Sequence, residues 1–170
     1  MIRVAPLTVD KIFSRLDVDI ESGVCRWVDA TKHHRNLIGE IAGGVRGGRS
    51  GKAYWVIKLD GTPYKRAQIV LTVSTGVWPN ETVDHINGNS LDDRSVNLRH
   101  ATWTQNAWNH KKRAKRSDLP MGVRVPPNSK GFQARVACNK KTYHLGVYST
   151  PELAHEAYRA KRLELFGEFA

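Results

Sequence analysis

Apolar side chains recur along this chain in short bursts, and the spacing within each burst points to a different element. Residues 7–18 carry Ile12, Phe13 and Leu16 at the interval of a short amphipathic helix. Glycine-punctuated apolar runs follow at 25–28, 54–59 and 67–73, with the length and branched content of strands. The longest of them, centred on 69–73, suits a strand buried on both faces. Asp60-Gly61, between the last two runs, is a hairpin signal, since both residues tolerate the left-handed backbone of a tight turn. The stretch 43–52, GGVRGGRSGK, reads as a flexible basic loop. It is not a P-loop, which needs glycine where Arg46 stands and a hydroxyl residue where Ala53 stands.

From Val83 the texture becomes polar and rich in Asn and Asp. Thr102 followed by Gln105 forms a capping box that opens a helix predicted to run to about Lys112. The basic run HKKRAKR and the breaker SDLP come next, and the break marks a domain boundary. The last fifty residues carry strand patterns at 122–125, 132–138 and 141–147, with turns at 126–130 and at Asn139-Lys140. Thr150 caps a closing helix with Pro151 at its first position, and Ala154, Ala157, Tyr158 and Leu165 give that helix an apolar face.

Charge narrows the class of partner. Against 16 Asp and Glu stand 27 Lys and Arg, a formal net charge of +11 over 170 residues. An excess of that size in a short chain makes a polyanion, and nucleic acid first, the expected partner. Arg46, Arg49 and Lys52 of the glycine-rich loop, and Lys111, Lys112 and Arg113 of the basic run, are candidate phosphate contacts. The two cysteines, Cys25 and Cys138, lie in no CxxC pair, which excludes a four-cysteine zinc site and a disulfide framework. The first residues lack the apolar stretch of a signal peptide and no run reaches membrane-spanning length, so a cytosolic protein with no membrane partner is expected.

Phosphodiester hydrolysis needs a water, a base to deprotonate it, and positive charge on the phosphate and leaving oxygen. Asp84-His85 puts a hard oxygen ligand for a divalent cation beside a base that titrates near neutrality. The segment around it, VDHINGN, then Asp92, Arg94, Asn97-Leu98-Arg99 and Gln105-Asn106, resembles the HNH nuclease signature, and most closely its phage and intron-associated homing branch. Tyr64-Lys65-Arg66-Ala67 and Thr75-Gly76-Val77-Trp78-Pro79 resemble what precedes that signature, so the likeness covers roughly residues 20–112.

That resemblance implies a ββα-metal finger in which two strands joined by a long ordered loop lead to a helix completing the metal site. Carried over, Asp84 binds the metal, His85 is the general base, Asn97 holds the loop and orients His85, and Asn106 is the second metal ligand. Asn106 stands where the family name has histidine. An amide oxygen is harder than imidazole and implies Mg²⁺ or Mn²⁺ rather than zinc. Gln68 departs from the histidine frequent in relatives after the Arg-Ala pair and is expected to be structural.

The C-terminal segment resembles the AP2 DNA-binding domain through Gly122-Val123-Arg124, the run 132–136, the run 143–148 and Ser149 to Ala154. That likeness implies a three-stranded sheet that enters the major groove, with a helix covering its other face. Of the long basic and aromatic residues that suit such a face, Arg124, Arg135, Lys141 and Tyr143 are the candidate DNA contacts, and Arg124 alone matches a contact position of that family directly. The expected fold is therefore α+β. It comprises an N-terminal β-rich part (1–80), an HNH ββα-metal finger (81–114), a linker (115–120) and an AP2-like sheet-plus-helix domain (121–170). The expected function is metal-dependent cleavage of double-stranded DNA by a monomer encoded by a phage or mobile element and acting in a bacterial cytoplasm. A non-cleaving DNA-binding regulator is the alternative.

Overall fold

The computed structural model describes residues 5–29, 36–47, 51–108, 118–127 and 129–170. Within them the chain is α+β, with small antiparallel sheets and few helices, and it divides into two compact units, Met1–Ala107 and Trp108–Ala170.

The first unit opens with a short helix, α1 (Val9–Phe13), capped by Thr8, whose hydroxyl accepts from the Lys11 N–H at 3.2 Å. The helix is shorter than the 7–18 spacing predicts. Leu16 and Val18 are buried while Asp17 and Asp19 are exposed, which is the period of a strand, and these residues form β1 (Leu16–Asp19). β1 pairs with β2 (Val24–Trp27). A three-stranded sheet follows in the order β3 (Gly44–Gly47), β4 (Ala53–Leu59) and β5 (Thr62–Lys65). Residues 44–47 of the expected glycine-rich loop are thus strand, paired to β4. Asp60 and Gly61 turn between β4 and β5 with φ of 47° and 84°, the left-handed pair of a tight hairpin.

The run 67–73, expected as a buried strand, is instead the core of helix α2 (Arg66–Thr75). Ala67, Ile69, Val70, Leu71 and Thr72 are all buried, so the helix is enclosed nearly all round and its sequence shows no amphipathic period to betray it. Its ends carry the helical information. The Gln68 side-chain oxygen accepts from the Lys65 N–H at 3.2 Å, the structural role expected of that residue. Gly76, at φ 75°, closes the other end with its N–H on the Thr72 carbonyl. Ile12, Leu16, Cys25, Ile57 and Leu59 pack around α2 in one hydrophobic core. Both cysteines are free and buried, and burial pushes the Cys25 thiol up to about 12.

The second unit is a three-stranded antiparallel sheet, in the spatial order β10 (Lys141–Tyr148), β9 (Phe132–Cys138), β8 (Val123–Arg124), with helix α4 (Pro151–Phe166) packed on β9. Asn139 and Lys140 make the left-handed turn between β9 and β10. The Thr150 hydroxyl caps α4 by accepting from the Leu153 N–H. Ala134, Val136 and Cys138 from β9 meet Ala154, Tyr158 and Phe166 from α4 in a small core. Among the described residues no helix is long and apolar enough to cross a membrane.

Candidate active site

Between the first unit's sheets and its end lies a finger of two strands, β6 (Thr82–His85) and β7 (Leu98–Ala101), followed by helix α3 (Trp103–Trp108). The chain from Ile86 to Asn97 that joins the strands is polar, and its own side chains replace a regular ladder. Asn87 accepts from the Asn89 N–H and donates to the Asp92 carboxylate, and Asn89 in turn accepts from the Leu91 N–H. Asn97 closes the loop. Its oxygen accepts from the Asn87 N–H at 3.0 Å and its nitrogen donates to the Asp92 carbonyl at 2.7 Å, so one buried amide uses both functions. Its backbone carbonyl takes the Ile86 N–H, which fixes the chain immediately after His85.

Asp84 sits across from Arg99 in the β6–β7 register and is 2 % exposed. Arg99 donates to Asp84 Oδ2 through both Nε and Nη2, each at 2.8 Å. His85, the last residue of β6, is 8 % exposed, and its Nε2 lies 2.9 Å from Asp93 Oδ1. The second oxygen of Asp93 accepts from Arg66 Nε at 2.8 Å, and the Arg66 guanidinium lies over the Trp55 ring at 4.4 Å. Orientation of His85 by Asn97 is thus indirect. The Asn97 amide is spent on the loop, and the carboxylate at the imidazole is Asp93. The neighbouring Asp92 is partly buried and has other partners. Arg94 grips it at 2.7 Å through Nε and Nη2, and with Asn87 holds its carboxyl down at about 2.

Asn106 lies half-buried on α3. The capping box forms as the sequence predicts: Thr102 Oγ1 accepts from the Gln105 N–H at 3.1 Å, and Gln105 Oε1 from the Thr102 N–H at 2.8 Å. The Glu81 carboxylate also accepts from the Trp103 N–H, tying the start of α3 to the start of β6. Continuation of this helix to Lys112, and with it Lys111, Lys112 and Arg113, lies outside the described residues, as does Arg49.

Among the described residues no cluster of three or more His, Cys, Asp or Glu side chains builds a ready metal cage. What the finger offers is one carboxylate, Asp84, and one amide, Asn106. Both are hard oxygen donors of the kind that hold an octahedral cation together with water and phosphate. Oxygens of this kind suit Mg²⁺ or Mn²⁺, and the Arg99 guanidinium is already on Asp84.

The basic candidates separate by face. Arg46 on β3 is paired with Tyr54, and the register puts both on the outward face of the sheet with Lys65, whose ammonium lies 4.0 Å over the Tyr54 ring. Lys52 precedes β4. In the second unit, Arg135 and His144 pair on the face away from α4, and Arg124 joins them by donating to the Gln133 side chain at 2.7 Å. Lys141 and Tyr143 pair with Cys138 and Val136, on the side facing α4, and Lys161 of α4 approaches the Tyr143 ring at 5.3 Å. The register thus parts the four residues expected to share one surface, because a shift of one position changes the face. Sequence reasoning missed Arg66, Asp93 and Arg99. Arg66 and Arg99 lay within quoted motifs, and only the carboxylates they reach give them a role.

Residues 66–108, from the start of α2 to the end of α3, match the HNH endonuclease family. A protein of Acanthamoeba polyphaga mimivirus described as an uncharacterized HNH endonuclease is 38 % identical over 89 residues. The aligned part is 52 % of this chain and 44 % of that relative, so the chain spans less than half of the viral protein's length. No solved structure matches the chain.

Proposed function

We propose that this protein is a metal-dependent endonuclease of the homing type that cuts double-stranded DNA, leaving 5′-phosphate and 3′-hydroxyl ends. The observation that carries this reading is the ββα finger inside the family match, with Asp84, His85, Asn97 and Asn106 on its strand end, loop and helix. His85 takes a proton as a water's O–H bond breaks. The oxygen bonds to phosphorus, the bond to the 3′ oxygen breaks, and solvent protonates that oxygen. Asp84 and Asn106 would hold a Mg²⁺ or Mn²⁺ ion, which supplies positive charge to the phosphate and the departing oxygen. Asn97 holds the loop that places His85.

DNA contacts are assigned to two sheet faces. In the first unit Arg46 and Lys65 flank Tyr54, with Lys52 nearby. In the second, Arg124, Arg135 and His144 lie on the face away from the helix. The second unit, from about residue 121, is read as an AP2-like module that reads bases through that face. The loop and basic-run cations Arg49, Lys111, Lys112 and Arg113 belong to the same proposal as phosphate contacts. With one finger per chain, a monomer nicks one strand at a time. Origin in a phage or other mobile element, with action in a host cytoplasm, completes the proposal.

The test is supercoiled plasmid incubated with Mg²⁺. Wild-type protein should give nicked circles, and His85→Ala should lose about 10²–10⁴-fold in rate while binding DNA as before. Wild-type-like cleavage by that variant removes His85 from its role. A wild-type protein that binds and never cuts makes the chain a DNA-binding regulator instead.

A further inference from the structure

We propose that Asp93 is the positioning residue of His85, fixing which imidazole nitrogen carries the proton and making Nδ1 the nitrogen that accepts. The catalytic half of this rests on the reading of His85 as the general base, whereas the tautomer follows from the geometry alone.

Along Arg66, Asp93 and His85 the hydrogens have one consistent assignment. Arg66 has only donors, and its Nε–H points at Asp93 Oδ2 at 2.8 Å. The ionised Asp93 has only acceptors, so the hydrogen between its Oδ1 and His85 Nε2, 2.9 Å apart, belongs to the imidazole. A neutral ring with hydrogen on Nε2 has its basic lone pair on Nδ1. All three side chains are buried, with Arg66 at 7 %, Asp93 at 2 % and His85 at 8 % exposure, so water competes little for these bonds.

The carboxylate is itself held from behind. A Cβ on Gly23, which sits at φ 71° in the β1–β2 turn, would lie 2.4 Å from the Asp93 carbonyl carbon and 2.6 Å from the Arg94 nitrogen. The turn therefore packs directly on the Asp93 backbone, and the Ser95 N–H donates to the Ile20 carbonyl at 2.9 Å beside it. The N-terminal hairpin, the start of α2 and the finger thus converge on one carboxylate whose free end meets the imidazole. This is the arrangement by which a carboxylate orients a base and stabilises the imidazolium formed when it takes a proton.

Asp93→Asn separates positioning from folding because it is isosteric. Arg66 can only donate, so it claims the amide oxygen and leaves the NH₂ group against Nε2. The ring must then accept at Nε2 and carry its hydrogen on Nδ1. Long-range ¹H–¹⁵N spectra of the histidine side chains read this directly, with the His85 signal assigned by its loss in His85→Gln. In the metal-free wild-type protein, at a pH where the ring is neutral, His85 should be the Nε2–H tautomer. In Asp93→Asn it should become Nδ1–H, with kcat on plasmid down about 10²-fold or more and KM unchanged. A wild-type Nδ1–H tautomer, or an even mixture, overturns the proposal, as does an Asp93→Asn variant with full kcat. Should that variant not fold, the wild-type spectrum still decides the tautomer. Should His85→Ala cut DNA normally, the general-base reading fails while the tautomer result stands by itself.

Discussion

A buried carboxylate is costly unless its charge is answered, and Asp84 is answered by Arg99 through two bonds at 2.8 Å. If Asp84 is also the metal ligand, cation and guanidinium compete for one charge. Arg99→Gln should therefore destabilise the fold by on the order of 3 kcal/mol, and added Mn²⁺ should raise its melting temperature more than that of the wild type. Equal shifts would argue that metal does not bind at Asp84. The neighbouring Asp92 makes a pH prediction. Arg94 first, and Asn87 after it, hold the Asp92 carboxyl at about 2, below its ordinary range near 4. The folded form thus keeps the ionised group that the unfolded chain protonates sooner. Asp92 contributes stability above about pH 4 and loses it as pH falls toward 2. Arg94 is half exposed, so salt should weaken the effect. In Asp92→Asn, urea midpoints should fall less steeply between pH 4 and pH 2. An unchanged slope would show that the pair contributes nothing. At this scale the sequence exposed Asp84, His85, Asn97 and Asn106 because they stand in one short motif. It hid Asp93, whose partner Arg66 lies 27 residues earlier. Of two adjacent aspartates, nothing local says which one turns inward.

Elements were legible where a local device fixes the backbone and illegible where only the surroundings do. The capping box at Thr102 and Gln105, the cap at Thr150, and the turns at Asp60-Gly61 and Asn139-Lys140 each form as their residues dictate. Each depends on one or two side chains or a left-handed backbone, and so survives being read without a fold. Helix α2 is the opposite case. A helix enclosed by its own unit needs no polar face, and a continuous apolar run of strand length is then ambiguous. Its ends, at Gln68 and Gly76, carried the distinction, while the branched residues between them favoured the wrong element. A similar ambiguity shortened α1. Leu16 fits the helical spacing from Ile12, yet it alternates with Val18 in β1. On the sheet of the second unit, charge and aromatic content picked out Arg124, Arg135, Lys141 and Tyr143 together. Register then divided them between faces, and it brought His144 to the side of Arg135.

At the scale of the whole chain the two compact units have separate cores. The first is built from residues between Leu7 and Leu98, the second from β9, α4 and the turn that follows it. Separate cores imply that each unit keeps its structure when the other is removed. If both units also bind DNA, joining them raises affinity through effective concentration by roughly 10²–10⁴-fold. Deleting residues 121–170 should then leave a folded first unit that still nicks plasmid with Mg²⁺. Affinity and site preference should fall together, because the face carrying Arg124, Arg135 and His144 is gone. Unspecific phosphate contacts should then dominate what binding is left, and cleavage should become more salt-sensitive. Circular dichroism and a cleavage assay on the same truncation test both halves of the argument. An unfolded fragment would make the second unit a structural support. A folded fragment with unchanged site preference would place base reading in the first unit, where the sheet face around Tyr54 is a candidate surface.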